Sequence, residues 1–133
     1  KTPKLYFYDT GLVCHLTRWS SPEVAQRGAM SGALLENFAV SEMMKTYQNA
    51  GRQPYLHYYR DRDAKEIDVI LEENGQIFPL EIKKTASPDR RIVRGFGVLN
   101  KEPLRIGTSA VLCMADRLSA FDRDNLIVPI WMI

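Results

Sequence analysis

Three side chains are of a type and spacing that could do chemistry together. Asp68 lies inside the apolar run Ile67-Asp68-Val69-Ile70-Leu71, and Glu81 and Lys83 flank Ile82 at the end of another. A carboxylate is costly to bury unless a metal, a cation or hydrogen bonds compensate it, so Asp68 needs a partner. In a strand alternate side chains share a face, which puts Phe78, Leu80 and Ile82 on one side and Glu81 with Lys83 on the other. Glu36 raises the same question in a helical setting, because Val40 and Met43 follow it at i+4 and i+7 and turn it along an apolar stripe. Two acids on adjacent strands can share one Mg²⁺ or Mn²⁺ that keeps waters and open positions for phosphate oxygens. Such an ion acidifies a bound water and neutralises charge on phosphorus. Lys83 would orient the water, take its proton if its own pKa were depressed, or stabilise the transition state. The chemistry implied is metal-dependent phosphodiester hydrolysis. Each piece alone has a plainer reading: Glu81 with Lys83 as an exposed ion pair, Asp68 as a partner of Arg60, Glu36 as a partner of a base elsewhere.

Positioning these groups requires an α/β fold. Leu35, Phe38, Ala39, Met43 and Tyr47 recur at helical spacing and predict a helix from about Ser31 to Gln48, ended by Asn49-Ala50-Gly51. Tyr55 to Arg60 and Glu66 to Glu72 read as strands joined by the turn Asp61-Arg62-Asp63-Ala64. Asn74-Gly75 is a hairpin signal leading into a third strand, Gln76 to Lys84. The hairpin puts Asp68 and Glu81 on neighbouring strands. Pro79 removes a ladder donor inside the third strand and predicts an edge or a bulge there. Ser87-Pro88-Asp89 starts a second helix to about Leu99, and Thr108 to Met114 and Leu126 to Trp131 read as further strands. Ahead of this αβββαβ order, Leu5 to Tyr8 reads as a short strand. Asp9-Thr10 caps a short helix to about Trp19, and Ser20-Ser21-Pro22 breaks it.

The chain has 133 residues, 45% hydrophobic and 26% charged, with 18 Lys and Arg against 16 Asp and Glu. That fits one domain with a single core, residues 1–30 forming a connecting segment, 31–115 the core and 116–133 a terminal strand. Disorder and collagen-like repeats are excluded, as is a membrane-spanning run of about 18 apolar residues. Cys14 and Cys113 lack the companion spacing of a zinc site and read as reduced thiols of a cytoplasmic protein. His15 and His57 read as structural. Residues 57–80 carry a net charge of −3 and residues 81–105 one of +4, a carboxylate cluster beside a basic run. Lys84, Arg90, Arg91 and Arg94 in that run could hold phosphates without reading sequence, or form a solvated helix face. Arg60 and Arg62 are secondary candidates. The opening Lys1-Thr2-Pro3-Lys4, with no initiating Met and no apolar leader, reads as a domain cut from a longer protein. Its exposed apolar surface would then favour a homodimer.

The ordered motifs Lys4-Leu5-Tyr6-Phe7-Tyr8-Asp9-Thr10-Gly11-Leu12, Gly32-Ala33-Leu34-Leu35-Glu36-Asn37-Phe38, Tyr58-Tyr59-Arg60-Asp61, Glu66-Ile67-Asp68 and Glu81-Ile82-Lys83 resemble a known family. They are similar to the carboxy-terminal domain of uncharacterised AAA-type ATPases of bacteria and archaea, a family of unknown function. More broadly the pattern resembles the PD-(D/E)xK nuclease superfamily, with its restriction-endonuclease-like αβββαβ core and mixed central sheet. The resemblance implies that Glu36 is the helical acid, Asp68 and Glu81 are metal ligands and Lys83 is a catalytic base or stabiliser. It makes the carbonyl of Ile82 a further ligand. Ile67 stands where the superfamily name has Pro. The implied cofactor is Mg²⁺ or Mn²⁺ and the implied substrate is DNA, with RNA as the second candidate. A preceding P-loop ATPase domain is implied too; no GxxxxGK[ST] occurs here. The rival reading is a non-catalytic interaction or nucleic-acid-binding domain of an ATPase.

Overall fold

A computed structural model describes residues 3–133. Its order is α1 (Thr10–Leu16), α2 (Pro22–Arg27), α3 (Ser31–Asn49), β1 (Tyr55–Arg60), β2 (Glu66–Glu73), β3 (Gln76–Lys83), α4 (Arg91–Arg94), a 3₁₀ helix (Gly95–Lys101), β4 (Arg105–Ile106), β5 (Ser109–Cys113), β6 (Ser119–Asp122), β7 (Asn125–Pro129) and a last 3₁₀ turn (Ile130–Met132). The expected αβββαβ core is present, as α3-β1-β2-β3-α4-β5.

The strands form one mixed sheet in the order β1-β2-β3-β5-β7-β6, with β4 also paired to β3. β1, β2 and β3 are an antiparallel meander, β3, β5 and β7 run parallel, and β6 returns antiparallel to β7. The meander follows from its turns. Asn74 and Gly75 both take positive φ, as a tight two-residue hairpin turn of the primed type requires. In the β1–β2 turn the Asp61 carboxylate accepts the amides of Asp63 and Lys65.

Two apolar clusters sandwich this sheet. Ala39, Val40 and Met43 of α3 pack with Val69, Ile82, Leu112 and Ile130. Ile67, Ile70 and Ile77 pack with Phe96 and Leu99 of the 3₁₀ helix. Among the described residues no helix is long and apolar enough to cross a membrane.

Several expectations are corrected. Leu5 to Tyr8 is not a strand. The amide side chain of buried Asn37 serves its backbone instead, accepting from the Phe7 N–H at 2.7 Å and donating to the Phe7 carbonyl at 3.0 Å. One side chain thus replaces a neighbouring strand. The first helix stops at Leu16, short of Trp19, with Thr17 as its C-cap and Arg18 at positive φ, and Ser21-Pro22 breaks nothing but begins another helix, because the Ser21 hydroxyl caps the Val24 N–H and Pro22 fits the first turn. The second expected helix, to Leu99, is four α residues followed by 3₁₀ turns; Gly95 and Gly97 weaken α propagation and Phe96 and Leu99 are drawn into the core. Pro79 marks neither an edge nor a bulge. It pairs with Ile70 on one flank, and on the other it falls in the interval where β3 changes partner, from β4 at Gln76–Ile77 to β5 at Leu80–Lys83. A missing donor costs nothing where no ladder bond is made. β7 ends at Pro129, short of Trp131, and β4 and β6 have no counterpart among the expected strands.

Candidate functional site

The site exists because two neighbouring strands part company. The β2–β3 ladder stops at the pair Val69 with Leu80. Beyond it β2 is held from outside by β1, through Ile67 with Tyr59 and Glu66 with Arg60, and β3 is held from outside by β5 along residues 80–83. A gap opens between them, edged by Asp68 on one side and by Glu81, Ile82 and Lys83 on the other. It lies at the carboxyl end of β3, and open α/β sheets bind ligands at the carboxyl ends of their parallel strands.

A β-bulge aims Asp68 into this gap. From His57 to Tyr59 β1 advances two residues while β2 retreats three, from Ile70 to Ile67. The extra residue, within Asp68–Val69, restores Ile67 and Ile70 to the same apolar cluster and sends Val69 to the other. Asp68 Oδ2 accepts the Ile82 N–H at 2.8 Å, a donor that the parted ladder would otherwise orphan. Lys83 Nζ lies 3.4 Å from the same oxygen and 2.5 Å from Glu81 Oε2. Asp68, Glu81 and Lys83 are therefore one cluster, with both carboxylates nearly buried, at 12% and 9% side-chain exposure. Asp68 is not paired with Arg60.

The electrostatics follow from this crowding. Burial, opposed by the bond from Lys83 and reinforced by the Asp68 charge, pushes the Glu81 carboxyl up to about 7. Burial also works against the Lys83 charge, but the bonds and charges of Glu81 and Asp68 outweigh it and raise the pKa of the ammonium. Lys83 in this state is a cation, suited to stabilising negative charge, not to removing a proton. A buried pair of acids held together by one ammonium is also a donor set that a divalent ion fits, since Mg²⁺ commonly takes one or two carboxylates and completes its shell with water and phosphate. Among the described residues no three His, Cys, Asp or Glu side chains converge as a metal-binding group.

Glu36 lies on α3 at the edge of this arrangement and has its own partners. Its Oε1 accepts from Lys4 Nζ at 3.0 Å and from the Tyr6 hydroxyl at 2.7 Å. Lys4 continues to Glu66 Oε1 at 2.5 Å and lies over the ring of Tyr58. Lys4 and Tyr6 are the residues that sequence reasoning missed as site members. No local pattern marks them, because their partners Glu36 and Glu66 lie far off in sequence. A cleft of about 450 Å³ between residues 3–8, α3 and β1 opens beside them, and Asp68 lines it.

The basic run is more occupied than its composition suggests. Lys84 is tied to the Gln26 carbonyl and the Ser31 hydroxyl, Arg90 to Asp122 at 2.7 Å, and Arg91 to Asp89 through two nitrogens. Arg90 takes the N-cap position of α4 without a side-chain capping bond, and Arg94 is its last residue. All four basic groups are exposed. Cys14 and Cys113 are free thiols.

Comparison with known proteins adds the family. Residues 31–133 match the family described as Domain of unknown function (DUF4143). The chain belongs to this family. The matched part begins at the first residue of α3, so it contains Glu36, Asp68, Glu81 and Lys83 but not Lys4 or Tyr6. Uncharacterised proteins of Mycobacterium tuberculosis (Rv2008c) and Mycobacterium bovis (Mb2031c) are each 30% identical over 88 residues, covering 66% of this chain. The chain spans 19% of the length of these curated relatives. No solved structure matches it.

Proposed function

We propose that this domain is a metal-dependent nuclease-like module, hydrolysing phosphodiester bonds of DNA with Mg²⁺ or Mn²⁺ and working as one part of a longer ATPase. The observation that carries the reading is the parting of β2 and β3, which leaves two buried carboxylates, Asp68 and Glu81, side by side with Lys83 between them. Asp68 and Glu81 would hold the ion, with the backbone of Ile82 beside it. The bound ion would supply an acidified water and charge neutralisation at phosphorus. Asp68 is kept in place by the Ile82 N–H. Lys83, protonated, would stabilise negative charge on the phosphate or orient the attacking water when Asp68 and Glu81 hold a cation. RNA offers the same phosphodiester and is the second substrate to test.

The test is nicking of supercoiled plasmid and of branched DNA with Mg²⁺ or Mn²⁺, by the chain and by its Glu81→Ala and Asp68→Asn variants. Nicking by the unaltered chain that both variants lose supports the reading; equal nicking by all three refutes it.

A second reading has its own observation. Glu36 is engaged by Lys4 and Tyr6, and Lys84, Arg90 and Arg91 are engaged within the chain, which suits a non-catalytic interaction or nucleic-acid-binding domain. It predicts salt-dependent retention of DNA without products.

A further inference from the structure

Residues 3–8 bring two side chains to the edge of the site from outside the part of the chain that the family match covers. Lys4 spans Glu36 on α3 and Glu66 at the start of β2, at 3.0 and 2.5 Å, and so ties the helix to the strand segment that carries Asp68 two residues later. Its ammonium also lies 5.3 Å from the centre of the Tyr58 ring, on the β1 residue opposite the bulge. The Tyr6 hydroxyl donates to the same Glu36 oxygen that Lys4 uses. Both bonds fall on Oε1. Glu36 is thereby fixed in direction, while among the described residues none hydrogen-bonds its Oε2.

Tyr6 and Asp68 also line the same cleft. Burial, then the bond of the Tyr6 hydroxyl to Glu36, then the charges of Glu36, Asp68 and Glu66 all hold its proton on more tightly than in a free phenol. The hydroxyl is bonded to the helical acid, and the charge of the strand acid reaches it.

We propose that Lys4 and Tyr6 are positioning residues of the metal site: the segment fixes Glu36 through one oxygen, leaving the other free for a water of the ion held by Asp68 and Glu81, and pins the bulge that aims Asp68. This inference rests on the metal reading given above. Groups that orient the ligands of a metal typically change its affinity by about 10- to 100-fold when removed.

Charge and position predict opposite signs at Lys4, which makes the inference testable. A lysine acting only through its charge repels a divalent ion, so Lys4→Met would tighten binding. A lysine that positions Glu36 and Asp68 predicts weaker binding in Lys4→Met and recovery in Lys4→Arg. Tyr6→Phe alters no charge and isolates the hydroxyl. The measurement is Mn²⁺ titration of the 133-residue chain and these variants by calorimetry and by loss of the free-ion electron paramagnetic resonance signal, with thermal unfolding in chelator as the control for folding.

The expected result is Mn²⁺ binding by the unaltered chain, weakened about tenfold or more in Tyr6→Phe and Lys4→Met at little change in metal-free melting temperature. Unchanged affinity in Tyr6→Phe, or tighter binding in Lys4→Met, overturns the inference while leaving the metal reading intact. No Mn²⁺ binding by the unaltered chain overturns both.

Discussion

Replacing Glu81 by Gln should change the pH dependence of stability in the metal-free protein, with a sign that follows from the site. Glu81 in the folded chain keeps its proton up to about pH 7, against an ordinary value of 4.5. Between those values the folded chain binds more protons than the unfolded one, so stability falls as pH rises. The contribution is fully present below about pH 4.5 and lost by about pH 7. At 1.36 kcal/mol per unit the gap corresponds to roughly 3 kcal/mol, discounted to about 2 for solvent screening because the Lys83 partner of Glu81 is 40% exposed. Gln has no proton to lose. Urea unfolding in chelator at half-unit steps from pH 4.5 to 8, subtracting the variant from the unaltered chain, removes the titration of all other groups. The difference should decline by about 2 kcal/mol across that range and flatten above pH 7. A difference curve flat within error, or one rising with pH, would refute the argument that burial beside Asp68 governs Glu81.

Further outcomes test the surrounding structure. Asp68→Ala leaves the Ile82 N–H without its acceptor and should cost about 1–3 kcal/mol in urea unfolding, whereas Asp68→Asn, which keeps an acceptor oxygen, should cost less. Leu99→Ala removes a side chain 1% exposed and should cost about 2–5 kcal/mol by the same measurement. Gly107→Ala would place a methyl carbon 2.3 Å from the Phe78 ring; it should destabilise by about 1–3 kcal/mol and be partly rescued by Phe78→Leu. Proton release on Mn²⁺ binding, followed in two buffers of different ionisation enthalpy, should be larger at pH 6 than at pH 8, because Glu81 must lose its proton to bind.

What the sequence made legible was periodic or local. Tyr55 to Arg60 and the helix from Ser31 are strongly patterned, and Asn74-Gly75 names its turn by chemistry, so the meander and the adjacency of Asp68 to Glu81 could be read directly. The bulge at Asp68–Val69 could not. It breaks the two-residue alternation that strand reading relies on, and it is needed because Ile67 and Ile70 serve one core while Val69 serves the other. The run Leu5 to Tyr8 has strand composition without a strand partner, since the buried Asn37 amide satisfies it across 30 positions of sequence. Lys4 was hidden for the same reason, because its partners Glu36 and Glu66 are brought to it only by the tertiary fold. The arginines of residues 90–94 were read by charge alone, and acids at Asp89 and Asp122 claim two of them.

The most direct test of the central claim is a crystal of the chain soaked in Mn²⁺, with anomalous scattering recorded at the manganese edge. The account predicts one peak between the carboxylates of Asp68 and Glu81, with Lys83 moved off both acids. A map with no peak there, and Lys83 still bridging the two acids at saturating Mn²⁺, would contradict it.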